Sequence, residues 1–482
     1  MAGAQAASAM SGGRRTEGRS SALRSAEQLP PRQSWPLPGT ALCMTLVGLA
    51  IVLGGGGTVN PHTETVLQFL TALIMIPLVA SAGWQRGLGR IPVGAQILAG
   101  LILLLPVLQL VPLPPAIWHA LPGRAVEVQS LALIQADHAW MPLTMAPART
   151  FASLLAMICP VLLMLQVSRL SVRGRNWLCA TIVAAGGASL LIGVLQLSHT
   201  GGWTWSLYSQ FSEGYLVGFQ ANRNAEVDFL MIAMLAVGVL FTTRLSDGKS
   251  HVVTWVGFVL SLLAFSVGLL MTGSRTGIAL CLPMIVFLGL MVWPTLRNKT
   301  TALWWLGGSL ATVLVGSALL LQLQSVQKVV ARFSLEKEAR WDLWADTWYA
   351  IHQVWPFGSG IGTIVPMLEA AERLEVVDLT RPVRAHNDWL EWTLEGGLPG
   401  LVILGLILVV VGVIVVRAAI EVSRGDETPG RRSQVIFGCG VLLIEALHAI
   451  MDYPLRSMSL AALTAVAMAF LLRPTAVQRT RP

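Results

Sequence analysis

The chain has 482 residues, of which 54% are hydrophobic and only 12% charged, and it carries a formal net charge of +8. With a mean hydropathy of +0.66, this balance lies far from a soluble globular composition and makes lipid the main solvent of the fold. The basic excess therefore has to be tested as a topology signal before it is read as a nucleic-acid surface.

Residues 1–38 are rich in Ala, Ser, Gly, Arg and Pro and are expected to form a disordered cytoplasmic tail. A polar, arginine-bearing stretch of this length, followed by many apolar runs, is not expected to be a signal peptide. The apolar runs have the length that a helix needs to cross about 30 Å of hydrocarbon. Nine are expected between 39 and 322, at 39–57, 65–83, 93–111, 150–168, 177–197, 224–242, 252–271, 276–293 and 302–322. Three more follow within 397–472, at 397–416, 434–450 and 457–472, before a second tail at 473–482. Only helices or closed barrels satisfy their backbone in lipid, and uninterrupted runs of this length read as helices. The expected fold is an all-α integral membrane protein of about twelve transmembrane helices.

Charge gives these spans a direction. With the N-terminus placed in the cytoplasm, the inner segments hold 21 of the 33 basic residues, including Arg86 and Arg90, Arg169, Arg173 and Arg175, and Arg431 and Arg432. The short outer turns hold only Arg223, Arg275 and Arg456. The positive-inside rule then sets both termini in the cytoplasm, and the basic pI needs no nucleic acid to explain it. All five cysteines, Cys43, Cys159, Cys179, Cys281 and Cys439, fall inside spans and show no metal-site spacing. Tryptophans at span ends, such as Trp84, Trp177, Trp255, Trp293 and Trp304, read as interfacial anchors.

Two outer loops are long, 112–149 and 323–396. In the second, Trp341, Trp344 and Trp348 recur at helical spacing, and Pro356 with Gly358, Gly360 and Gly362 then forces a turn. A partly helical lid over the outer face is expected.

Several residues at that face carry possible chemistry. Arg275, in TGSRTG between two spans, is either a snorkelling arginine or a fork for a diphosphate at headgroup depth, which small neighbours Gly273, Ser274 and Gly277 would let close to the backbone. Arg340 is either the partner of Glu336 one turn earlier or a second phosphate clamp. His386, in RAHNDWLEW, is the candidate base, since imidazole with an ordinary pKa of about 6.5 keeps a neutral form near neutral pH. Asn387 and Asp388 stand beside it as candidate orienting groups, and helix capping is its ordinary alternative role. Asn222, Arg223 and Asn224 open the sixth span, while His448, Asp452 and Arg456 close the eleventh, with Glu445 on the same helical face. Each of these groups either lines a cavity or ties helices together. The chain has no HExxH, no D-x-D pair and no P-loop, so neither a metal nor a nucleotide cofactor is expected.

Taken in order, NRN at a span start, SRTG between spans, an R-x-x-x-W helix leading to WPFGSGIG, then AHNDWLEWTLEGGLPG and HAIMDYPLR resemble the O-antigen ligase and O-antigen polymerase superfamily of bacterial membrane glycosyltransferases. PLTMAPARTF before the fourth span is similar to its pattern as well. The resemblance implies a GT-C-like, metal-independent and inverting enzyme of the bacterial inner membrane. Its donor would be a glycan on undecaprenyl diphosphate, and its acceptor either lipid A core or another lipid-linked glycan, joined at the periplasmic face. By motif it assigns Arg275 and Arg340 to the diphosphate and His386 to the acceptor hydroxyl, with Asn222, Arg223, Asn224, Asp388, His448, Asp452 and Arg456 as possible cavity-lining residues. A repeat-unit polymerase and a protein-glycosylating relative are alternatives within the superfamily. A polysaccharide or lipid transporter is the alternative outside it, although no internal repeat is apparent.

Overall fold

The computed structural model describes residues 36–57, 61–86, 88–198, 205–248, 250–296, 340–377, 381, 383–425 and 427–474. The chain begins with α1 (Pro38–Leu53), α2 (Pro61–Ala80) and α3 (Val93–Gln109). A connecting segment follows with β1 (Pro112–Leu113), α4 (Pro115–Trp118), α5 (Ala125–Leu133) and β2 (Met141–Pro142). Next come α6 (Pro147–Ser168), α7 (Val172–Ser198), α8 (Arg223–Ser246), α9 (His251–Met271) and α10 (Arg275–Leu296). The last helices are α11 (Arg340–Val354), α12 (Ile364–Ala371), α13 (Asp388–Ser423), α14 (Pro429–His448) and α15 (Met458–Leu471), with a 3-10 turn at Pro454–Arg456 before α15. A small sheet pairs Pro112 with Pro142 and Leu113 with Met141, antiparallel, and ties off the 112–142 excursion.

The chain is an all-helical membrane protein in its main features. Among the described residues seven helices are long and apolar enough to cross a bilayer, and α1, α3 and α15 are shorter apolar helices. α14 has the length, but Arg431, Arg432 and Glu445 lower its hydropathy. The span expected at 302–322, Trp304 and Glu336 lie outside the described residues.

α8 is the centre of the bundle. From Ala225 to Val239 its side chains are buried all round, as expected of a helix with no polar face. It packs against α7, α9, α10 and α14. Lipid offers no hydrophobic drive between helices, so close packing at small residues takes over. A Cβ at Gly277 of α10 would lie 2.5 Å from Val227 of α8, and one at Gly438 of α14 would lie 2.7 Å from the Ala467 carbonyl of α15. Trp255 is not an interfacial anchor as expected: it is buried against Phe241 and Phe258, because α9 turns that face onto α8.

Two of the basic residues that set the sequence topology have a second role. Arg175 and Arg431 are both buried at the C-terminal end of α15. Arg175 donates to the carbonyls of Phe470 (3.0 Å) and Leu472 (2.9 Å), and Arg431 to those of Phe470 and Leu471 (3.1 Å). They supply the donors that the last carbonyls of a helix lack, at the negative end of its dipole.

The lid turn docks on α13 through glycines. Gly358, Gly360 and Gly362 all have positive φ, and Gly397 interrupts α13 at φ 57°, ψ −153°. A Cβ at Gly397 would meet the Pro356 carbonyl at 2.3 Å, and one at Gly358 would meet Gly397 N at 2.6 Å. Leu398 N donates to Pro356 O (2.7 Å), Gly360 N to Glu395 O (2.9 Å) and Gly362 N to Glu395 Oε1 (2.9 Å). WPFGSGIG and EGGLPG are thus two halves of one joint. α13 starts well before the expected residue 397 because its first turns belong to this joint.

Candidate active site

The N-terminal end of α8, the turn after α14 and residues 383–386 before α13 are among the segments that converge on a cavity of about 360 Å³. The start of α8 is fixed by Asn222, whose side chain accepts from Asn224 N (2.9 Å) as an N-cap. This cap turns Asn224 inward, where its Nδ2 donates to Asp452 Oδ2. Arg223 lies over the Tyr215 ring, 4.2 Å from its centroid.

His386 sits in the left-handed region at φ 51°, which a residue with a Cβ rarely adopts. Both neighbours pin it there. On one side Ala385 N donates to Glu391 Oε1 (2.9 Å) and Arg384 Nη1 to Glu391 Oε2 (3.0 Å). On the other, Asp388 N donates to the carbonyls of Ala449 (2.9 Å) and Asp452 (3.2 Å). The ring is thereby carried to Asp452, with Nδ1 3.0 Å from Oδ1, and its edge meets Tyr453 at 5.0 Å between centroids.

Asp452, not the expected Asn387 or Asp388, orients His386. Asn387 instead caps α13, accepting from Trp389 N (3.0 Å) and Leu390 N (3.1 Å). The buried Asp452 carboxylate also accepts from Tyr453 N (3.0 Å). Burial would raise its pKa, but the hydrogen bond and charge of His386, then the charges of His448 and Arg340, outweigh burial and hold it well below the usual carboxylate range.

A second histidine stands in the same cavity. His448, the last residue of α14, places Nδ1 2.5 Å from Asp228 Oδ2 of α8. Asp452 lies just past the helix end, where its N–H reaches back to His448 O (2.9 Å). Arg340, the first residue of α11, brings a cation to the same wall.

Of the residues singled out in the sequence, Asn222, Arg223, Asn224, Arg340, His386, His448 and Asp452 therefore share one cavity. Asp388 and Arg456 do not line it. Arg456 binds three carboxylates instead, at 3.1 Å to Asp388, 3.6 Å to Glu391 and 3.0 Å to Glu395. Burial opposes its charge, but Glu395, Glu391 and Asp388 raise its pKa all the same. This cluster fastens the start of α13 to the turn before α15. Arg275, half-buried at the start of α10, lies outside the cavity lining as well. The room that Gly277 was expected to give a ligand is taken by Val227, because TGSRTG turns the chain tightly against α8.

Arg384, Tyr453 and the segment Gly55–Gly57 also line the cavity and were not singled out. Arg384, two residues before His386, was the most legible of them; the glycines carry no side chain to signal a site. Among the described residues, no group of three or more His, Cys, Asp or Glu side chains could hold a metal ion.

Residues 259–405 match a family model described as O-antigen ligase, a stretch that takes in Arg275, Arg340 and His386. No curated protein matches the chain.

Proposed function

We propose that this member of the O-antigen ligase and O-antigen polymerase superfamily is an inner-membrane glycosyltransferase that moves a glycan from undecaprenyl diphosphate to an acceptor hydroxyl at the periplasmic face. The observation that carries the reading is the His386–Asp452 pair, 3.0 Å apart, in one cavity with Arg340. Asp452 accepts a hydrogen bond from His386 Nδ1–H, which fixes that tautomer and leaves Nε2 to accept the proton of the acceptor hydroxyl. The acceptor oxygen attacks the anomeric carbon, the bond from that carbon to the phosphate oxygen breaks, and the diphosphate leaves with the electron pair. Direct displacement inverts the anomeric centre. Arg340, with Arg384 on the same cavity, meets the charge that develops on the leaving group, so guanidinium supplies what a metal would otherwise provide. Arg275, away from the cavity lining, is left at the membrane boundary in this scheme.

Twelve crossings with both termini cytoplasmic belong to the same proposal and rest on the distribution of basic residues. That orientation puts the cavity on the periplasmic side and lets the lipid tail stay between helices. The acceptor in this scheme is lipid A core, the ligase form of the reaction. In a deletion strain it leaves full-length chains off the core, whereas loss of a polymerase leaves single repeats.

The direct test is purified protein in lipid with a glycan on undecaprenyl diphosphate. His386→Ala should abolish transfer and leave donor binding intact. Transfer at the wild-type rate would remove the base, and wild-type protein that carried donor across the bilayer without forming a glycosidic bond would replace the enzyme with a transporter.

A further inference from the structure

The cavity holds two imidazoles, and the mechanism above uses one. Each has Nδ1 on its own carboxylate, His386 on Asp452 at 3.0 Å and His448 on Asp228 at 2.5 Å. The two carboxylates come from different elements, so the pairs are built separately: Asp228 lies on α8, and Asp452 follows α14. They differ in depth. The His386 side chain is 29% exposed and that of His448 only 1%.

We propose that His448 is a ligand of the leaving diphosphate, donating from Nε2 at the floor of the cavity while His386 serves the incoming hydroxyl. This rests on the glycosyl-transfer reading above. Its first support is an unmet hydrogen bond. His448 Nε2 is buried and has no hydrogen-bond partner among the described residues, although the side chain lines the cavity. A buried polar nitrogen left unpaired is costly, and a ligand in the cavity removes that cost. Because Nδ1 is already held by Asp228, Nε2 is the edge that meets the ligand.

The second support is charge. Arg340 lines the same cavity and acts electrostatically on both His448 and Asp452. A guanidinium and an imidazole N–H converging on one volume suit an anion with several oxygens better than a sugar hydroxyl. The third support is stereochemical. In-line displacement needs nucleophile and leaving group on opposite sides of the anomeric carbon. Two imidazoles at different depths divide that work, with the accessible one toward the acceptor and the buried one toward the phosphate. No proton is transferred by His448: between the Asp228 carboxylate and the diphosphate it stays an imidazolium, with Nδ1–H on Asp228 and Nε2–H toward the ligand. Its Nε2–H donates to a phosphate oxygen, and that bond strengthens as the sugar–oxygen bond breaks and the electron pair passes to the diphosphate.

The test measures binding of undecaprenyl diphosphate and of undecaprenol to wild-type, His448→Gln and His386→Ala proteins in nanodiscs. His448→Gln should bind the diphosphate about tenfold more weakly, because a neutral amide donor replaces a charged one. It should bind undecaprenol as the wild type does. Unchanged diphosphate affinity in His448→Gln would overturn the assignment, even with transfer lost. Should that variant fail to fold, a structure of the wild type with undecaprenyl diphosphate decides. A phosphate oxygen within about 3.2 Å of Nε2 supports the assignment, and a phosphate seated elsewhere overturns it. If the wild type transfers glycan while His448 plays no part, only this inference falls; if the wild type neither binds the lipid nor transfers, the function falls with it.

Discussion

Replacing Asp452 by Asn keeps the shape of the site and removes one charge. Asp452 accepts from three donors: His386 Nδ1 and Tyr453 N on Oδ1, and Asn224 Nδ2 on Oδ2. An amide offers one oxygen, so two arrangements compete. If the oxygen stays toward His386, the ring keeps its proton on Nδ1, but the imidazolium formed during attack loses its counter-charge. A hydrogen bond to a charged group is worth about 1.5–3 kcal/mol, or roughly one to two decades in rate at about 1.4 kcal/mol per decade. If the oxygen turns toward Asn224, the amide N–H₂ faces Nδ1, the ring proton moves to Nε2 and the base is blocked. Averaged over both, kcat should fall by about 10²-fold or more. Donor affinity should barely change, since Arg340 is untouched. The assay is glycan transfer by purified protein in lipid at saturating donor, with binding measured separately. A folded Asp452→Asn protein within about threefold of the wild-type kcat would refute the claim that this carboxylate holds the base.

Other consequences of the structure are open to measurement. Arg456→Met leaves Asp388, Glu391 and Glu395 buried without the cation they share, so thermal unfolding in detergent should show a loss of about 3–5 kcal/mol; wild-type stability would refute the cluster. Gly397→Ala puts a Cβ at positive φ against the Pro356 carbonyl, and should cost at least about 3 kcal/mol, of which backbone strain alone is about 1–3. Recovery of a monodisperse protein at wild-type stability would show that the lid joint is looser than described. The Asp452 carboxyl has its folded pKa depressed below the unfolded value of about 3.9. Its stabilising contribution is therefore complete above that pH and disappears only as pH falls further toward the folded pKa. The stability difference between wild type and Asp452→Asn should not shrink between pH 8 and about pH 5, and a collapse of that difference near pH 6 would contradict the assignment.

The helices were legible because lipid demands long apolar runs, and length with hydropathy is a local signal. Eleven of the expected spans have a helix among the described residues. What length could not show was rank. Both α8 and α9 are long and apolar enough to span a bilayer, yet α8 is enclosed on all sides while α9 turns one face away from the protein. Trp255 was misread for the same reason: a tryptophan at a span end looks like an anchor whether it meets headgroups or Phe258.

The site shows the same division more sharply. The residue types at the cavity were recognisable, since ionisable groups near span ends are costly without a purpose. Their pairing was not. Asp388 is two residues from His386 and Asp452 is 66 away, and sequence proximity favoured the wrong carboxylate. The reason is mechanical. A helix start sends adjacent side chains in different directions, so with His386 at positive φ, Asn387 turns back to cap α13 and Asp388 turns to Arg456. The carboxylate that reaches the ring must then come from another element, and the turn after α14 supplies it because Asp388 N is hydrogen-bonded to Ala449 O and Asp452 O. The backbone contact that excludes Asp388 from the histidine is the one that delivers Asp452 to it.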